Sequence, residues 1–207
     1  MQYVLEHFGV SVAAVTGVLA ARGKQVDLFG VIVLALVTAF GGGTLRDLLV
    51  GDRPLFWIRD PNFLLNATTV ALMTFFVVRF HEFPQQVLLV ADAFALALFT
   101  VIGVKKALAF QLAPSIAVAM GVMTGVAGGM MRDVLAGEIP LVFRREIYLY
   151  ATAALCGAGV FVLFSRWQGH EQINMMLSAG TTLALRLAGI RWKLALPLFR
   201  HRDDSSL

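Results

Sequence analysis

Two segments of the sequence, at 38–57 and 124–143, combine a run of glycines with an Arg-Asp pair at the same spacing. They read TAFGGGTLRDLLVGDRPLFW and TGVAGGMMRDVLAGEIPLVF, and nine of their twenty positions are identical at an offset of 86. Both segments are otherwise apolar, and a charge at membrane depth costs at least about 2.5–3.5 kcal/mol. Each pair must therefore face protein or a water-filled path.

The glycine runs are expected to break their helices and to expose backbone oxygens. Glycine destabilises a helix by roughly 1 kcal/mol per residue, so a run of glycines favours a kink or an unwound turn. A break frees carbonyl oxygens that can coordinate a cation, and N–H groups at the positive end of a helix dipole. With threonine hydroxyls and one carboxylate as further ligands, the candidate pathway residues are Thr38, Gly41, Gly42, Gly43, Thr124, Gly128, Gly129 and Asp92. The alternative is that the glycines only allow helices to pack closely.

The charged residues have two possible roles. Adjacent helical residues project about 100° apart, so one member of each Arg-Asp pair can line a path while the other locks helices together. Asp92 can attract cations or carry protons, or it can pair with the arginine of either segment. Lys105 and Lys106 can gate a path or extend to the lipid headgroups. Arg186 in the last span can lie at a subunit interface, but extension to the headgroups is the expected role. The charged candidates for gating or structural pairing are Arg46, Asp47, Arg132, Asp133, Lys105 and Lys106.

Membrane-spanning helices must position these residues. The chain is 58% hydrophobic and 14% charged, with a mean hydropathy of +0.78, which is too apolar for a water-soluble surface. Since a span needs roughly 20 mostly apolar residues, we expect seven helices, at 4–21, 28–51, 62–80, 87–104, 115–137, 147–164 and 173–190. The sequence therefore predicts an all-α membrane protein with a single membrane domain, in which the second and fifth spans carry the glycines.

The duplication extends beyond the two segments. The offset of 86 continues to give identities in the first span of each half, so the repeat is about three spans long, at 4–80 and 87–164. An odd number of spans makes the second copy enter the membrane from the opposite side, and inverted repeats place an ion or substrate path at their interface. The seventh helix at 173–190 and the tail at 191–207 have no counterpart in either repeat. Packing or oligomer assembly is the simplest role for that helix.

Charge and composition restrict the orientation and the class of function. Ten Lys and Arg residues lie on the side of the C-terminus and six on the other, so the positive-inside rule predicts an outside N-terminus and a cytoplasmic C-terminus in a bacterial inner membrane. The net charge of +4 is carried by loops and the tail, so no nucleic-acid partner is expected. The chain has one cysteine, four scattered histidines and no phosphate-binding or Ser/His/Asp pattern. We therefore expect no enzyme activity, metal site or cofactor.

Four stretches together carry a resemblance to a known family: GGGTLRDLL, PLFWIRDP, ADAFALALFTVIGVKKAL and GGMMRDVLAGEIPLVFRREIY. They resemble a bacterial membrane family whose repeated unit is labelled a glycine-transporter domain, related to the trimeric intracellular cation (TRIC) channels. The resemblance implies seven helices, kinked at 41–43 and 128–129, in a homotrimer whose protomers each surround a pore for monovalent cations, chiefly K⁺. Ala127 replaces a third glycine, which predicts that one break opens more readily. The lysine motif with which the animal channels bind lipid has no counterpart here.

Three functions are consistent with the sequence. A passive cation channel would hold K⁺ or Na⁺ at the glycine breaks, through carbonyl and threonine oxygens, with the flanking charges tuning selectivity. A carrier for glycine or another small zwitterion would bind a carboxylate at the N–H end of a break and an ammonium at the carbonyl end or at Asp92. A structural membrane protein would have a dry, fully packed interface between the repeats. The channel is our leading hypothesis.

Overall fold

The chain folds into a bundle of long helices. The computed structural model describes residues 2–144, 149–165 and 171–193. The helices are α1 Gln2–Ala21, α2 Leu28–Val50, α3 Phe56–Arg59, α4 Asn62–Phe80, α5 Gln85–Ala109, α6 Pro114–Leu135, α7 Tyr150–Ser165 and α8 Glu171–Trp192, with a 3-10 helix at Leu141–Phe143. No strand occurs in the described residues, so the predicted all-α class is confirmed.

Six helices, α1, α2, α4, α5, α6 and α8, are long and apolar enough to cross a membrane. α7 has 16 residues and is shorter, and α3 is a single turn that the sequence analysis did not predict. The count of seven spans and the orientation stay predictions. The cations Arg145, Arg166, Arg200 and Arg202, used for the orientation, lie outside the described residues, as does the tail at 194–207.

Local signals explain where the two glycine-bearing helices begin and end. The carboxylate of Asp27 caps α2 by accepting a hydrogen bond from the N–H of Gly30 at 2.8 Å. Pro114 occupies the first turn of α6, where the backbone N–H groups have no partner within the helix, so its missing N–H costs no hydrogen bond. After each helix the chain turns through a left-handed glycine, Gly51 with φ 74° and Gly137 with φ 70°. The two segments therefore share the same exit from the helix.

The centre of the bundle is formed by α1, α2, α5 and α6. α2 packs along α1 and α6, α5 packs along α6 and α1, and α4 covers α1 and α2. α7 and α8 pair with each other and cover α5. The loops after α1, α4 and α6 meet at one end, where Lys24 pairs with Glu138 and Arg22 donates a hydrogen bond to the carbonyl of Phe83. We call this the vestibule end, and the end with the loops after α2 and α5 the opposite end.

The glycine runs do not interrupt their helices. α2 is helical through 41–43 and α6 is helical through 128–129. The predicted unwound turns, with free carbonyl oxygens at the glycines, are therefore wrong. Because these glycines present no side chain, α2 and α6 can press against each other while their own helical hydrogen bonds stay intact. The packing alternative accounts for the glycines of this structure.

Candidate ion pathway

α2 and α6 cross where their glycine segments meet. A Cβ atom added at Gly42 would lie 2.1 Å from the carbonyl oxygen of Thr124, and one at Gly128 would lie 2.4 Å from the carbonyl oxygen of Thr38. Each helix thus contributes a threonine and a glycine four residues apart, the small-xxx-small spacing of tightly packed membrane helices. The contact is reciprocal, because each threonine carbonyl faces the glycine of the other helix. We call this contact the glycine crossing.

A small polar cavity lies beside the glycine crossing, between α1, α2, α5 and α6. Its volume is about 10 Å³, which is near the minimum that holds one water molecule. The side chains that bring oxygen atoms to it are those of Thr16, Thr38, Asp92 and Thr124. The hydroxyls of Thr38 and Thr124 donate to carbonyls of their own helices at 2.6 Å, which leaves their oxygen lone pairs as acceptors. The cavity is thus lined by groups that can coordinate a cation.

The first Arg-Asp pair belongs to a cluster of charges that we call the α2 cluster. Arg46 Nη2 and Lys106 Nζ each lie 2.7 Å from Asp47 Oδ1. Lys106 also contacts Asp52 at 2.6 Å, and this hydrogen bond lowers the pKa of Asp52. The second oxygen of Asp47 accepts the backbone N–H of Phe56 at 3.0 Å. Asp47 is completely buried, and these donors together compensate its charge.

The second pair belongs to a matching group that we call the α6 cluster. Arg132 contacts Asp92 at 2.8 Å through Nη1 and Asp133 at 2.9 Å through Nε. The other oxygen of Asp133 accepts the first backbone N–H of the 3-10 helix at 2.8 Å. The guanidinium of Arg186, on α8, lies over the ring of Tyr150 at 4.6 Å from its centroid. All five side chains of the α6 cluster are buried.

The two clusters lie on opposite sides of the glycine crossing. Arg46 follows Thr38 by eight residues and Arg132 follows Thr124 by eight residues, about 12 Å along each helix. α2 runs away from the vestibule end, while α6 runs towards it. The α6 cluster therefore lies on the vestibule side of the crossing and the α2 cluster on the opposite side.

A larger cavity of about 370 Å³ opens at the vestibule end. Its charged lining residues are Arg22, Lys24, Asp133, Glu138 and Arg144. Asp133 lines this cavity and also belongs to the α6 cluster, so the cavity leads directly to the buried charges. The hydrogen bond from Lys24, with the nearby charge of Arg144, lowers the pKa of Glu138. Both signs of charge are therefore present at the mouth.

The structure decides among the roles that the sequence left open for several residues. Asp92 pairs with Arg132, one of the two partners considered. Lys106 turns inward to the α2 cluster, while Lys105 pairs with Glu171 on α8, so neither extends simply to the headgroups. Arg186 has no exposed surface, so its predicted position at the lipid headgroups is wrong.

The glycines also differ in what they contact. Gly42, Gly43, Gly128 and Gly129 line the small cavity. Gly41 does not line the cavity. A Cβ there would lie 2.7 Å from the sulfur of Met131 and 3.6 Å from the Cα atom of Gly128. The ring of Phe56 packs on Gly43, at 2.5 Å from a Cβ placed there. Of the three consecutive glycines, the first two face α6, but only Gly42 has the Thr124 carbonyl oxygen as its nearest neighbour.

Three contributors to the clusters were not predicted from the sequence. Asp52 joins the α2 cluster, and Tyr150 and Arg186 join the α6 cluster. In both halves the aspartate of the Arg-Asp pair also accepts a hydrogen bond from a backbone N–H of the turn that follows the helix. The sequence carries one signal for this turn. Pro54 and Pro140 are equivalent at the offset of 86, and each lies in the segment where the chain turns back after its helix.

The adjacent lysines of α5 provide a test of the α2 cluster. Lys106→Gln should lower the free energy of unfolding by about 1.5–3 kcal/mol, because it removes a charged hydrogen bond to the buried Asp47. Lys105→Gln is the matched control and should lower it by less than about 1 kcal/mol, since its partner Glu171 is exposed. The measurement is unfolding of the purified protein in detergent. Equal losses for the two variants would contradict the assignment of Lys106 to the buried site.

Comparison with known sequences gives a consistent result across the chain. The profile of a family described as Glycine transporter matches residues 3–79 and again residues 89–166. The UPF0126 membrane protein of Vibrio cholerae serotype O1 is 47% identical over 199 residues, covering 95% of this chain and 82% of that protein. The UPF0126 inner membrane protein YadS of Escherichia coli K12 is 45% identical, covering 95% of both.

A solved structure is similar to this chain in both fold and sequence. The TRIC trimeric intracellular cation channel orthologue from Rhodobacter sphaeroides superposes with a TM-score of 0.88 at 39% identity, over 93% of this chain and 98% of that one. These relatives are membrane proteins and a channel rather than enzymes, as the sequence analysis predicted. The chain therefore belongs to the prokaryotic TRIC channel family, and it carries the Glycine transporter unit of that family twice.

Proposed function

We propose that the protein is a channel for monovalent cations, chiefly K⁺. One observation carries this proposal: polar groups form a route along the bundle axis. The route passes from the vestibule cavity to the α6 cluster, the threonine oxygens of the small cavity and the α2 cluster. A cation needs such oxygen ligands because it must exchange its water shell inside the protein. The likeness to the TRIC cation channel orthologue, at 39% identity, supports the same function.

The proposed architecture is a homotrimer with one pore in each protomer. Each protomer has seven membrane spans, arranged as inverted repeats at 4–80 and 87–164 with a further helix at 173–190. The repeat proposal is supported by the two family matches, whose starts differ by 86 residues, and by the reciprocal glycine crossing. The proposed location is the bacterial inner membrane, where YadS resides, with the N-terminus outside and the C-terminus in the cytoplasm.

The glycine crossing is the proposed gate. A cavity of about 10 Å³ beside it does not admit a hydrated cation. Conduction therefore requires α2 and α6 to move apart or to bend at their glycines. In the open form the ion, K⁺ or Na⁺, is bound beside the glycine segments by the hydroxyls of Thr38 and Thr124 and by Asp92.

A carrier for glycine or another small zwitterion is the alternative, because the matching family is described as a glycine transporter. The geometry favours the channel. The free helix dipole ends that a carrier would use to hold a zwitterion are absent at the glycines, because both helices are continuous there. The large vestibule cavity is lined by charges of both signs, as a conduit for hydrated ions would be.

The test is purified protein in a planar bilayer under a KCl gradient. Unitary currents that reverse near the K⁺ equilibrium potential are expected. In parallel, the uptake of labelled glycine is measured in proteoliposomes that contain the purified protein. Saturable glycine uptake without unitary current would overturn the channel in favour of the carrier.

The threonines of the small cavity give a sharper version of this test. Thr38→Val and Thr124→Val remove one oxygen ligand each with little change in shape, and we expect K⁺ conductance to fall by about tenfold, equivalent to about 1.4 kcal/mol. Thr181→Val is the matched control. Its hydroxyl makes the same bond to a carbonyl four residues earlier, with Leu177 at 2.8 Å, but it lies on the exposed surface of α8. Equal conductance in all three variants would remove these hydroxyls from the pathway.

A further inference from the structure

The buried threonines of the bundle hold their hydroxyls in the same way, with one exception. Within the described residues five threonines are buried, namely Thr16, Thr38, Thr100, Thr124 and Thr182. Four of them donate the hydroxyl to a backbone carbonyl three or four residues earlier in their own helix. The hydroxyl of Thr100, on α5, makes no hydrogen bond with any described residue, and the side chain has no exposed surface.

The fold does not explain this hydroxyl. Moving a hydroxyl from water into a protein interior is unfavourable unless a new hydrogen bond replaces those it made with water. The carbonyl of Leu96, four residues earlier, is close enough to be considered, because this oxygen and Thr100 Oγ1 lie 3.1 Å and 2.6 Å from the same point, a Cβ placed on Gly125. That acceptor is nevertheless not used. Valine has the same shape as threonine and would avoid the cost, so a role outside packing is indicated for Thr100.

Thr100 lies at the level of the glycine crossing. Its neighbour on α6 is Gly125, which directly follows Thr124 and lines the small cavity. One turn further along α5, a Cβ placed on Gly103 would lie 2.7 Å from Thr124 Oγ1. Gly125 thus faces both the Thr100 hydroxyl and the small cavity, and it has no side chain that could separate them.

We propose that Thr100 is a further cation ligand of the pathway, which binds K⁺ through its hydroxyl oxygen when the gate is open. This inference rests on the proposed channel function. The route is narrow at the glycine crossing, where the cavity has a volume of about 10 Å³, so an ion there has lost much of its water and needs protein oxygens in its place. Because the Thr100 hydroxyl is not held by a carbonyl of its own helix, it is free to turn its lone pairs towards the ion once α6 has moved.

This ligand distinguishes the two halves of the chain. At the offset of 86, Thr100 and Gly125 correspond to Ala14 and Ala39, so the first half carries no equivalent pair. α1 supplies Thr16 to the small cavity instead, and the hydroxyl of Thr16 is bonded to the carbonyl of Ala13 at 2.8 Å. Both α1 and α5 therefore bring a threonine to the crossing, but only the threonine of α5 has a hydroxyl that can reorient.

The test combines conductance with stability, because the two are expected to change in opposite directions. Thr100→Val removes the hydroxyl and keeps the shape of the side chain. In the planar bilayer its K⁺ conductance should fall by about threefold to tenfold, the effect of one lost polar contact. Its unfolding temperature in detergent should rise by about 2–4 °C, because an unpaired hydroxyl is no longer buried. A threonine that served only the fold would not give this combination.

Two further variants serve as matched controls. Thr100→Ser restores the hydroxyl that valine lacks and should recover the lost conductance. Thr152, on α7, also has a hydroxyl without a hydrogen bond among the described residues, but it does not line the small cavity. Thr152→Val should therefore be at least as stable as the natural protein and should carry the same K⁺ current.

The outcomes separate this inference from the proposed function. Absence of a K⁺ current from the natural protein would overturn the channel and the ligand role of Thr100 together. A natural current with an unchanged conductance in Thr100→Val would overturn the ligand role alone. A lower unfolding temperature of Thr100→Val, or its failure to fold, would show that the fold uses the hydroxyl and would also overturn the inference.

Discussion

Replacing Arg132 by glutamine is expected to lower the free energy of unfolding by about 3–5 kcal/mol, the range found when one partner of a buried ion pair is removed. Arg132 has no exposed surface and contacts both Asp92 and Asp133. Its loss leaves two buried carboxylates without their nearest cation. Arg46→Gln should have a smaller effect, because Lys106 also contacts the aspartate of that pair.

The measurement is unfolding of the detergent-purified variants, with Arg79→Gln as the control for an exposed arginine at the end of α4. Arg79→Gln should change the stability by less than about 0.5 kcal/mol. The double variant Arg132→Gln with Asp92→Asn should recover part of the loss, because it removes one of the uncompensated carboxylates. A stability of Arg132→Gln equal to that of Arg79→Gln would show that the α6 cluster contributes little to the fold.

Gly42→Ala is the second variant with a large expected effect. Alanine favours a helix over glycine by roughly 1 kcal/mol, which alone would stabilise α2. Here the new methyl group would lie 2.1 Å from the Thr124 carbonyl oxygen, an atom of the helical backbone that cannot rotate away. Overpacking of this kind costs about 1–3 kcal/mol or more, and α2 and α6 must move apart to relieve it. We therefore expect a net loss of stability and a changed or abolished K⁺ current, and the same for Gly128→Ala.

Gly159→Ala and Gly180→Ala are matched controls. A Cβ at either position meets no atom within 4 Å, although both glycines are helical. These variants should be as stable as the natural protein or up to about 1 kcal/mol more stable. Thermal unfolding and bilayer currents are measured for all four variants. If Gly42→Ala matched Gly159→Ala in both, the glycine crossing would be neither tightly packed nor a gate.

Much of the fold could be predicted because its main signals are local. Long apolar runs mark membrane helices, so α4 at Asn62–Phe80 agrees with the predicted 62–80 and α2 at Leu28–Val50 with 28–51. The cost of a charge at membrane depth also predicted that each Arg-Asp pair faces protein or a water-filled path, and both pairs are buried in the bundle. α3 was missed because a single turn of helix has no periodicity to detect.

The geometry of the glycines was not predictable from propensity. A run of glycines in isolation favours an unwound turn, but the contact between Gly42 and Thr124 stabilises a continuous helix. This contact joins residues that are 82 positions apart in the sequence. The partner of Asp92 was left open for the same reason. Arg186 and Tyr150 belong to different helices, and no spacing in the sequence predicts that the guanidinium of Arg186 packs on the ring of Tyr150.

The contribution of α8 to the α6 cluster has a consequence for how the protein is made. Helices enter the membrane in chain order, and the α2 cluster has all its buried and half-buried charges once Lys106 has been synthesised. The α6 cluster has to wait for Arg186, which is 53 residues beyond Asp133. Until then the nascent chain has the ion pairs of Arg132 with Asp92 and Asp133, but not the arginine that covers Tyr150. Insertion of α8 is therefore the step of biosynthesis that completes the α6 cluster, and a chain that ends before α8 leaves the face of the Tyr150 ring uncovered.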